Sequence, residues 1–384
     1  MTSKAATLID LFSGCGGFSL GAELAGFQSL VAVDIEPTLQ SGFTKNFPHT
    51  KAIQADVGQI RKADWSQLIG AQRPDGIIGG PPCQGFSRIG KRSKEDPRNS
   101  LIHHFYRHVD ELSPKFFIME NVEGLLDDGN HQILSDAIDS ISDRYHVIGP
   151  LVVNAAHFGA ATNRKRVIVV GYDPQECDPF DSEHLLDFNV PMATVKDAIS
   201  DLPTPIGQIN GIHEFGWASY PACPSPLSSY AAALRELPSP GLGWQHAIDH
   251  LKAGRVSGLF ETMHSSKVAK RYLTTPGGRA DKISKSYKLE WGGLCPTLRA
   301  GTGAEKGAFQ AVRPLHPEQG RVITVREAAR MQAFPDWFVF HPTKWHSFRM
   351  IGNSVSPSVS FGLLSKIRQK LGVVSQSNYN KKVA

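Results

Sequence analysis

Between residues 1 and 172 the chain repeats one pattern: short apolar runs separated by polar or amphipathic stretches. The runs are ATLIDLF, SLVAVD, DGIIGG, KFFIMEN and KRVIVVGY, and each reads as a strand buried in a core. Between two of them, HQILSDAIDSISDRY sets Ile133, Leu134, Ala137, Ile138 and Ile141 on one helical face. Strands that alternate with helices are joined by crossovers, so they lie parallel with helices on both faces of the sheet. The expected fold is therefore α/β, a doubly wound sheet whose ligands sit at the carboxyl ends of its strands.

The pattern stops near 173. Up to 321 the chain is rich in Pro, Gly and Ser, as in TPIGQINGIHEFGWASYPACPSP, yet Trp, Tyr and Phe recur through it. A smaller, loop-rich second domain is expected there, rather than a disordered linker. Order returns with TVREAARMQAFPDWF, where Thr324 and Glu327 fit a capping box, and SVSFGLLSKIRQKL reads as a last helix. Residues 1–172 and 322–384 are thus expected to form one discontinuous domain, and 173–321 the other. Charge is also uneven. From 172 to 251 there are 2 Lys/Arg against 11 Asp/Glu, and from 252 to 321 there are 13 against 5. The basic part suits a polyanionic partner.

Several function classes are excluded by what is missing. No run approaches the roughly eighteen apolar residues of a membrane span, and MTSKAATLIDLF lacks the apolar region of a signal peptide. The 5 cysteines form no C-x-x-C pair, which argues against a disulfide framework or a thiolate metal site. A reducing, cytoplasmic setting and no metal are expected.

Three strand ends carry chemistry. DLFSGCGGFSLGAE (10–23) is a strand, a turn and a helix start, and Gly14, Gly16 and Gly17 let a ligand approach the backbone. Asp34 ends the next strand, where a carboxylate takes ribose hydroxyls, and Asp56 is expected at the end of the third, within reach of an adenine amino group. Ser19 stands where a pyrophosphate-binding loop has its third glycine, so a nucleoside cofactor without a diphosphate, such as S-adenosylmethionine, fits better. IIGGPPCQGFS (77–87) then holds Cys83 at the end of the fourth strand, behind Pro81 and Pro82, a setting for an exposed nucleophile. Glu120 ends the strand in FIMENVEG and should face the same crevice, where a carboxyl can exchange a proton with a substrate. TNRKRVIVV adds Arg164 and Arg166 just before a strand.

Taken together these residues resemble the DNA cytosine-5 methyltransferase family. DLFSGCGGFSLG is similar to its cofactor loop, GGPPCQGFS to its nucleophile loop and ENV to its catalytic glutamate motif. RKR, REAARMQAFPDWF (326–338) and GNSVSP (352–357) are similar to its later motifs, in the family's order. The resemblance implies a Rossmann-like S-adenosylmethionine-dependent sheet and a variable target-recognition domain between the motif-bearing parts. It implies methyl transfer from S-adenosylmethionine to carbon 5 of a cytosine flipped out of a specific duplex DNA sequence. Cys83 would attack carbon 6, Glu120 would hold the exocyclic amine and nitrogen 3, Arg166 would orient the base and Arg164 would support that loop. Phe12, Gly14, Gly16, Gly17, Asp34, Ile35, Asp56, Val57, Pro81, Asn353 and Ser354 would line the cofactor site. Two positions depart from the family: Thr162 replaces a glutamine, and Ile35 an aromatic residue that stacks on adenine.

The resemblance further implies a bacterial restriction–modification enzyme. It would be a cytoplasmic monomer, nucleoid-associated through its DNA, with a possible cognate restriction endonuclease acting on the same site without stable complex. For DNA contact the expected residues are Ser87, Arg88, Lys91 and Arg92 of a closing basic loop, and Thr297, Arg299 and Thr302 of the Gly-rich GGLCPTLRAGTGAEKG (292–307). Three rival readings are a tRNA cytosine-5 methyltransferase of the same family, a nicotinamide-dependent oxidoreductase and a non-catalytic paralogue. The long second domain favours duplex DNA over tRNA, since groove readout needs extra loops. The altered glycine pattern weighs against a nicotinamide enzyme. The intact Cys83, Glu120, Arg164 and Arg166 weigh against a dead copy.

Overall fold

The computed structural model describes residues 5–82, 100–127, 130–209, 211, 214–222, 227–301 and 313–371. Cys83, Ser87, Arg88, Lys91, Arg92 and Thr302 lie outside the described residues.

The apolar runs pair into a 7-stranded sheet. Its strands are β1 (Ala6–Leu11), β2 (Phe27–Asp34), β3 (Lys51–Gln54), β4 (Gly76–Gly79), β5 (Phe116–Asn121), β6 (His146–Asn154) and β8 (Lys165–Tyr172). A two-residue strand, β7 (Thr162–Asn163), lies apart from it. The order is β3-β2-β1-β4-β5-β8-β6, which reverses direction between β1 and β4. That reversal opens a crevice at the carboxyl edge. Registers place Leu11 beside Val33 and Gly79, and Gly79 beside Met119, so four strand ends line one rim.

The expectation of a wholly parallel sheet needs correction at one strand. β8 runs antiparallel to both neighbours, with Glu120 opposite Ile168 and Val153 opposite Arg166. The reversal has a functional result. A parallel β8 would bring Tyr172 to the carboxyl rim, whereas the antiparallel strand brings its own start, Arg164 to Arg166, beside the end of β5. Asp56 also lies two residues beyond β3 rather than at its end.

Alternate residues of each strand face opposite cores. On one side Ile118, Val170 and Phe27 meet Phe18 and Ala22 of α1 (Gly17–Leu24). Ile9, Val31, Ile77, Phe117 and Met119 face the other side, which is covered by α3 (Lys62–Ile69), α4 (Ser100–Leu112) and α5 (His131–Asp139). Leu134, Ala137 and Ile141 of the predicted helical face are buried there. On α2 (Pro37–Asn46), Leu39 and Phe43 belong to a third core, with Phe334, Trp337, Phe338 and Phe340.

From 173 to 321 regular structure is sparse. Among the described residues there are five short helices: α6 (Ser182–Leu186), α7 (Val195–Ile199), α8 (Ser229–Leu234), α9 (Gln245–Lys252) and α10 (Ser266–Thr274). The strand pair β9 (Ala218–Ser219) and β10 (Arg255–Val256) joins them. A third short strand, β11 (Cys295–Pro296), runs parallel to β7. Buried charge holds this region to α11 (Val325–Met331). Arg330 reaches Asp336 and Asp201, each at 2.6 Å, and Tyr230 donates to the Arg330 carbonyl at 2.5 Å. Arg326 donates to the carbonyls of Ser257, Pro335 and Phe338.

The chain then closes on its beginning. After α12 (Lys344–Asn353), α13 (Pro357–Lys370) lies along α1. A Cβ on Gly21 would stand 2.4 Å from Phe361 N and 2.5 Å from Pro357 O, so the two backbones touch where Gly21 has no side chain. Ser360 donates to the Phe18 carbonyl, and Arg368 caps the end of α1 by donating to Ala25 O. Among the described residues no helix is long and apolar enough to cross a membrane.

Candidate active site

The rim is built from loops that the sequence forces into unusual backbone conformations. Phe12, Gly14 and Gly16 all take positive φ (63°, 56° and 94°) between β1 and α1. At Gly16 a side chain is excluded twice over, since an added Cβ would also strike Phe47 at 2.3 Å. Above Gly14 nothing lies within 4 Å of that position, which leaves room for a ligand against the main chain. Asp34 ties this loop to the next. Its Oδ2 accepts from Gly14 N and its Oδ1 from Glu36 N, both at 2.8 Å. Burial pushes the Asp34 carboxyl up, against these two donors. Each oxygen keeps a second lone pair for a hydroxyl. Ile35 stands beside it 65% exposed, an apolar surface with no protein cover. Val57 is buried, and Asp56 is half-buried and accepts from Gly58 N.

The serine that replaces the third glycine of a diphosphate loop has its own partner. Ser19 Oγ donates to Asp10 Oδ2 at 2.5 Å beneath the turn. Burial raises the Asp10 carboxyl to about 7, the dominant effect despite that donor. Sequence reasoning noted Ser19 only as an absence and missed Asp10.

Glu120 and Arg166 meet at this rim. Arg166 Nε lies 2.8 Å from Glu120 Oε1, with both side chains at least four-fifths buried. The contact lacks hydrogen-bond geometry, so Oε1 has no hydrogen-bond donor among the described residues. A buried carboxylate oxygen with a cation alongside and no donor is poised to accept one from a bound molecule. Oε2 lies against Gly80, where an added Cβ would stand 3.1 Å from it. Asn121 donates from Nδ2 to the Pro81 carbonyl at 3.3 Å, tying the end of β5 to the turn that continues into Cys83. Sequence reasoning quoted Asn121 within ENV but gave it no part. Its adjacency to Glu120 was the available signal.

Arg164, expected to support the Arg166 loop, is bound to backbone rather than turned to the rim. It is 2% exposed and donates to three carbonyls, those of Leu298 (3.2 Å), Gly352 (3.0 Å) and Ser354 (2.8 Å). Desolvation drives its guanidinium well below the usual value, with Arg166 adding to the effect. Arg164 is a buried clamp that acts through backbone, not a group facing a substrate. Thr162, the departure from the family, is fully buried and donates to Cys295 O at 2.9 Å, supporting the β7–β11 pair. Asn353 is exposed. Ser354 packs directly on Gly17, where a Cβ would come within 1.9 Å of its Oγ. The GNSV segment therefore lies between the cofactor loop and Arg164.

The remaining candidates divide. Thr297 donates its hydroxyl to Asn163 O at 2.9 Å and keeps its lone pairs to accept. Arg299 is exposed on the segment whose Leu298 carbonyl Arg164 holds. All three described cysteines are buried, and burial raises the Cys15 and Cys177 thiols to about 12 and the Cys295 thiol further. None of these is a nucleophile at neutral pH.

The model of the C-5 cytosine-specific DNA methylase family matches residues 6–369. The chain is 38% identical over 369 residues to the Type II methyltransferase M.XorII of Xanthomonas oryzae pv. oryzae, covering 94% of this chain and 84% of that protein. It is 30% identical over 406 residues to M.DdeI of Desulfomicrobium norvegicum, covering 97% and 91%. Among solved structures, an E. coli prophage protein assigned as a DNA modification methyltransferase superposes with a TM-score of 0.85 at 38% identity, over 96% of this chain and all of that one. The S. pombe Dnmt2 methyltransferase, 16% identical with a TM-score of 0.59, shares the fold. With its Rossmann-like sheet and Glu120–Arg166 rim, the chain belongs to the C-5 cytosine-specific DNA methylase family and is a DNA cytosine-5 methyltransferase.

Proposed function

We propose that this enzyme methylates a cytosine flipped out of a specific duplex sequence, with Cys83 as covalent nucleophile and S-adenosylmethionine as donor. The observation that carries the reading is the Glu120–Arg166 pair, set against Gly80 on the turn that continues into Cys83. Cys15, Cys177 and Cys295 are buried, and burial holds their thiols protonated, which leaves Cys83 and Cys223 as the candidate nucleophiles.

The cofactor rim fits a nucleoside without a diphosphate. Space is open over Gly14, Asp34 keeps free lone pairs for ribose hydroxyls, and Ile35 offers an exposed face for a flat base. Asp56 and Val57 would flank the adenine, with Phe12, Gly16, Gly17, Pro81, Asn353 and Ser354 completing the enclosure. When bound, S-adenosylmethionine supplies an electrophilic methyl group.

The protein's own part is to make a cytosine carbon nucleophilic. Cys83, as thiolate, adds to carbon 6 and pushes an electron pair toward nitrogen 3. Glu120 accepts from the exocyclic amine with one oxygen and delivers a proton to nitrogen 3 from the other, neutralising that charge as it develops and recovering the proton when Cys83 leaves. Arg166 orients the base and balances Glu120. Once carbon 5 carries the methyl, its proton leaves to a base and the electron pair returns to expel Cys83. Arg164 acts at one remove, fixing the Arg166 loop to GNSV. Arg299 would meet the backbone beside the flipped base, and Ser87, Arg88, Lys91 and Arg92 would close over the duplex. The division into 1–172 plus 322–384 and 173–321 belongs to the same reading, as does a cognate endonuclease acting on the same sequence.

The test is transfer of label from S-adenosylmethionine to mixed-sequence duplex DNA and to bulk tRNA, with Cys83→Ser alongside. Label in duplex DNA as 5-methylcytosine, absent from the variant, is expected. Label confined to tRNA, or unaffected in Cys83→Ser, overturns the reading.

A further inference from the structure

Methyl transfer makes no use of a rigid basic unit at 263–288. At its centre Asp281 is buried, accepting from Arg271 Nε at 2.8 Å and from the N–H groups of Ile283 (3.1 Å) and Ser284 (2.6 Å). Burial opposes this carboxylate, but the Ser284 and Arg271 donors prevail and hold it below its usual range. Lys288, also buried, donates to the carbonyls of Tyr272 (3.1 Å) and Leu273 (2.7 Å), which closes the end of α10. Lys285 takes a φ of 60° as its N–H returns to Asp281 O. Helix α10 and the 281–286 turn are thereby one piece, seated through Tyr272 and Val268 on Leu315 and Val322.

The outer surface of this piece is unusual in two independent ways. Lys267, Lys270, Arg279, Lys282 and Lys285 are exposed, and none is in an ion pair among the described residues. Three of the nine large hydrophobic residues exposed among the described residues also fall here: Met263 (75%), Leu273 (53%) and Ile283 (71%). A merely solvated basic face has no use for isoleucine at the tip of a turn. A duplex groove wants both, because ammonium groups neutralise phosphates and an aliphatic side chain meets the thymine methyl.

The unit is also well placed. From Lys288 the chain runs to Thr297, which is bonded to Asn163 beside Arg164. Those nine residues span at most roughly 30 Å, or about nine base pairs of duplex. By contrast, within the 292–307 loop expected to read bases, Cys295 and Pro296 are paired with β7 and the Leu298 carbonyl is held by Arg164.

We propose that α10 and the 281–286 turn read the DNA beside the target cytosine. Lys267, Lys270, Lys282 and Lys285 bind phosphates, and Ile283 touches a base edge that carries a methyl group. This rests on duplex DNA being the substrate. The test uses the full chain and the duplex site that bisulfite sequencing of its products defines. Binding of that labelled duplex is followed against salt for Lys267→Ala/Lys270→Ala, Lys282→Ala/Lys285→Ala and their glutamine equivalents. We expect at least tenfold weaker binding near 0.15 M salt and a log–log slope lowered by about 1–2 in each pair, with S-adenosylmethionine binding unchanged. Ile283→Ser should keep the wild-type salt slope but spread methylation to sites differing at one position. Lysine variants with wild-type affinity and slope, or Ile283→Ser with unchanged site preference, overturn the proposal while wild-type duplex methylation stands. Absence of 5-methylcytosine in the wild-type product would instead sink the reading beneath it.

Discussion

At the scale of single residues, the active rim depends on close approach. Glu120 lies against the backbone at Gly80, three residues before Cys83 in sequence, because Gly80 has no side chain. Gly80→Ala should therefore press on the carboxylate and lower kcat at least tenfold, with S-adenosylmethionine affinity unchanged in a binding titration. Arg164 poses the opposite case, a charge buried for structure. Removing it strands three carbonyls, and hydrogen bonds to a charged group contribute about 1.5–3 kcal/mol each. Arg164→Ala should lower the melting temperature by several degrees. Arg164→Lys should rescue it poorly, because an ammonium cannot reproduce the planar fork that spans Leu298, Gly352 and Ser354. The sequence displayed both arginines of RKR equally, and nothing local distinguishes the one that faces Glu120 from the one that clamps backbone. That difference arises because Arg166 lies within β8, whereas Arg164 precedes its first residue, Lys165, and so escapes the strand's alternation.

Elements were legible in proportion to their self-sufficiency. The strands with uninterrupted apolar runs stood out, and so did the Thr324–Glu327 capping box, which is present with Thr324 accepting from Glu327 N. Strand β6 was hidden because Gly149 and Pro150 interrupt it. It tolerates them as the edge strand, with a register shift between Ile148 and Leu151. The direction of β8 was illegible, since apolar periodicity is the same read either way. The capping box also carries a pH prediction. Burial would raise the Glu327 carboxyl, yet two Arg321 contacts at 2.8 and 2.7 Å and the Thr324 N–H hold it below the ordinary value of 4.5. A depressed folded-state pKa gives stability that is complete above the unfolded value and is lost as pH falls through the folded one. The stability gap between wild type and Glu327→Gln in urea titrations should thus be constant from pH 7 to about 5 and shrink below 4.5.

For the whole molecule, the decisive contacts join residues far apart in sequence, and only the GNSVSP motif, expected at the cofactor site, announces one of them. Thr162 pairs with Cys295, and α1 with α13. The last helix supplies Val359, Leu363, Leu364 and Ile367 to the core beneath the cofactor loop. Gly21→Ala would set a methyl 2.4 Å from Phe361 N, and overpacking of this kind costs about 1–3 kcal/mol. Its melting temperature should fall, whereas an alanine at exposed Gly292, where nothing lies within 4 Å and φ is not positive, should leave it unchanged. Charge asymmetry, by contrast, was visible at once, and the buried Arg330–Asp336 pair shows why counting charges could not separate solvated ones from structural ones.

The closure of α13 on α1 also sets a timetable for the nascent chain. A ribosome adding about 5–20 residues per second needs roughly 20–70 s to travel from the first helix to the last. Throughout that interval the apolar side of the early sheet lacks its cover, and the cofactor loop lacks the GNSV segment behind it. Synthesis must be nearly complete before the enzyme can act on any genome, so a prematurely terminated chain would carry every upstream motif and still be silent.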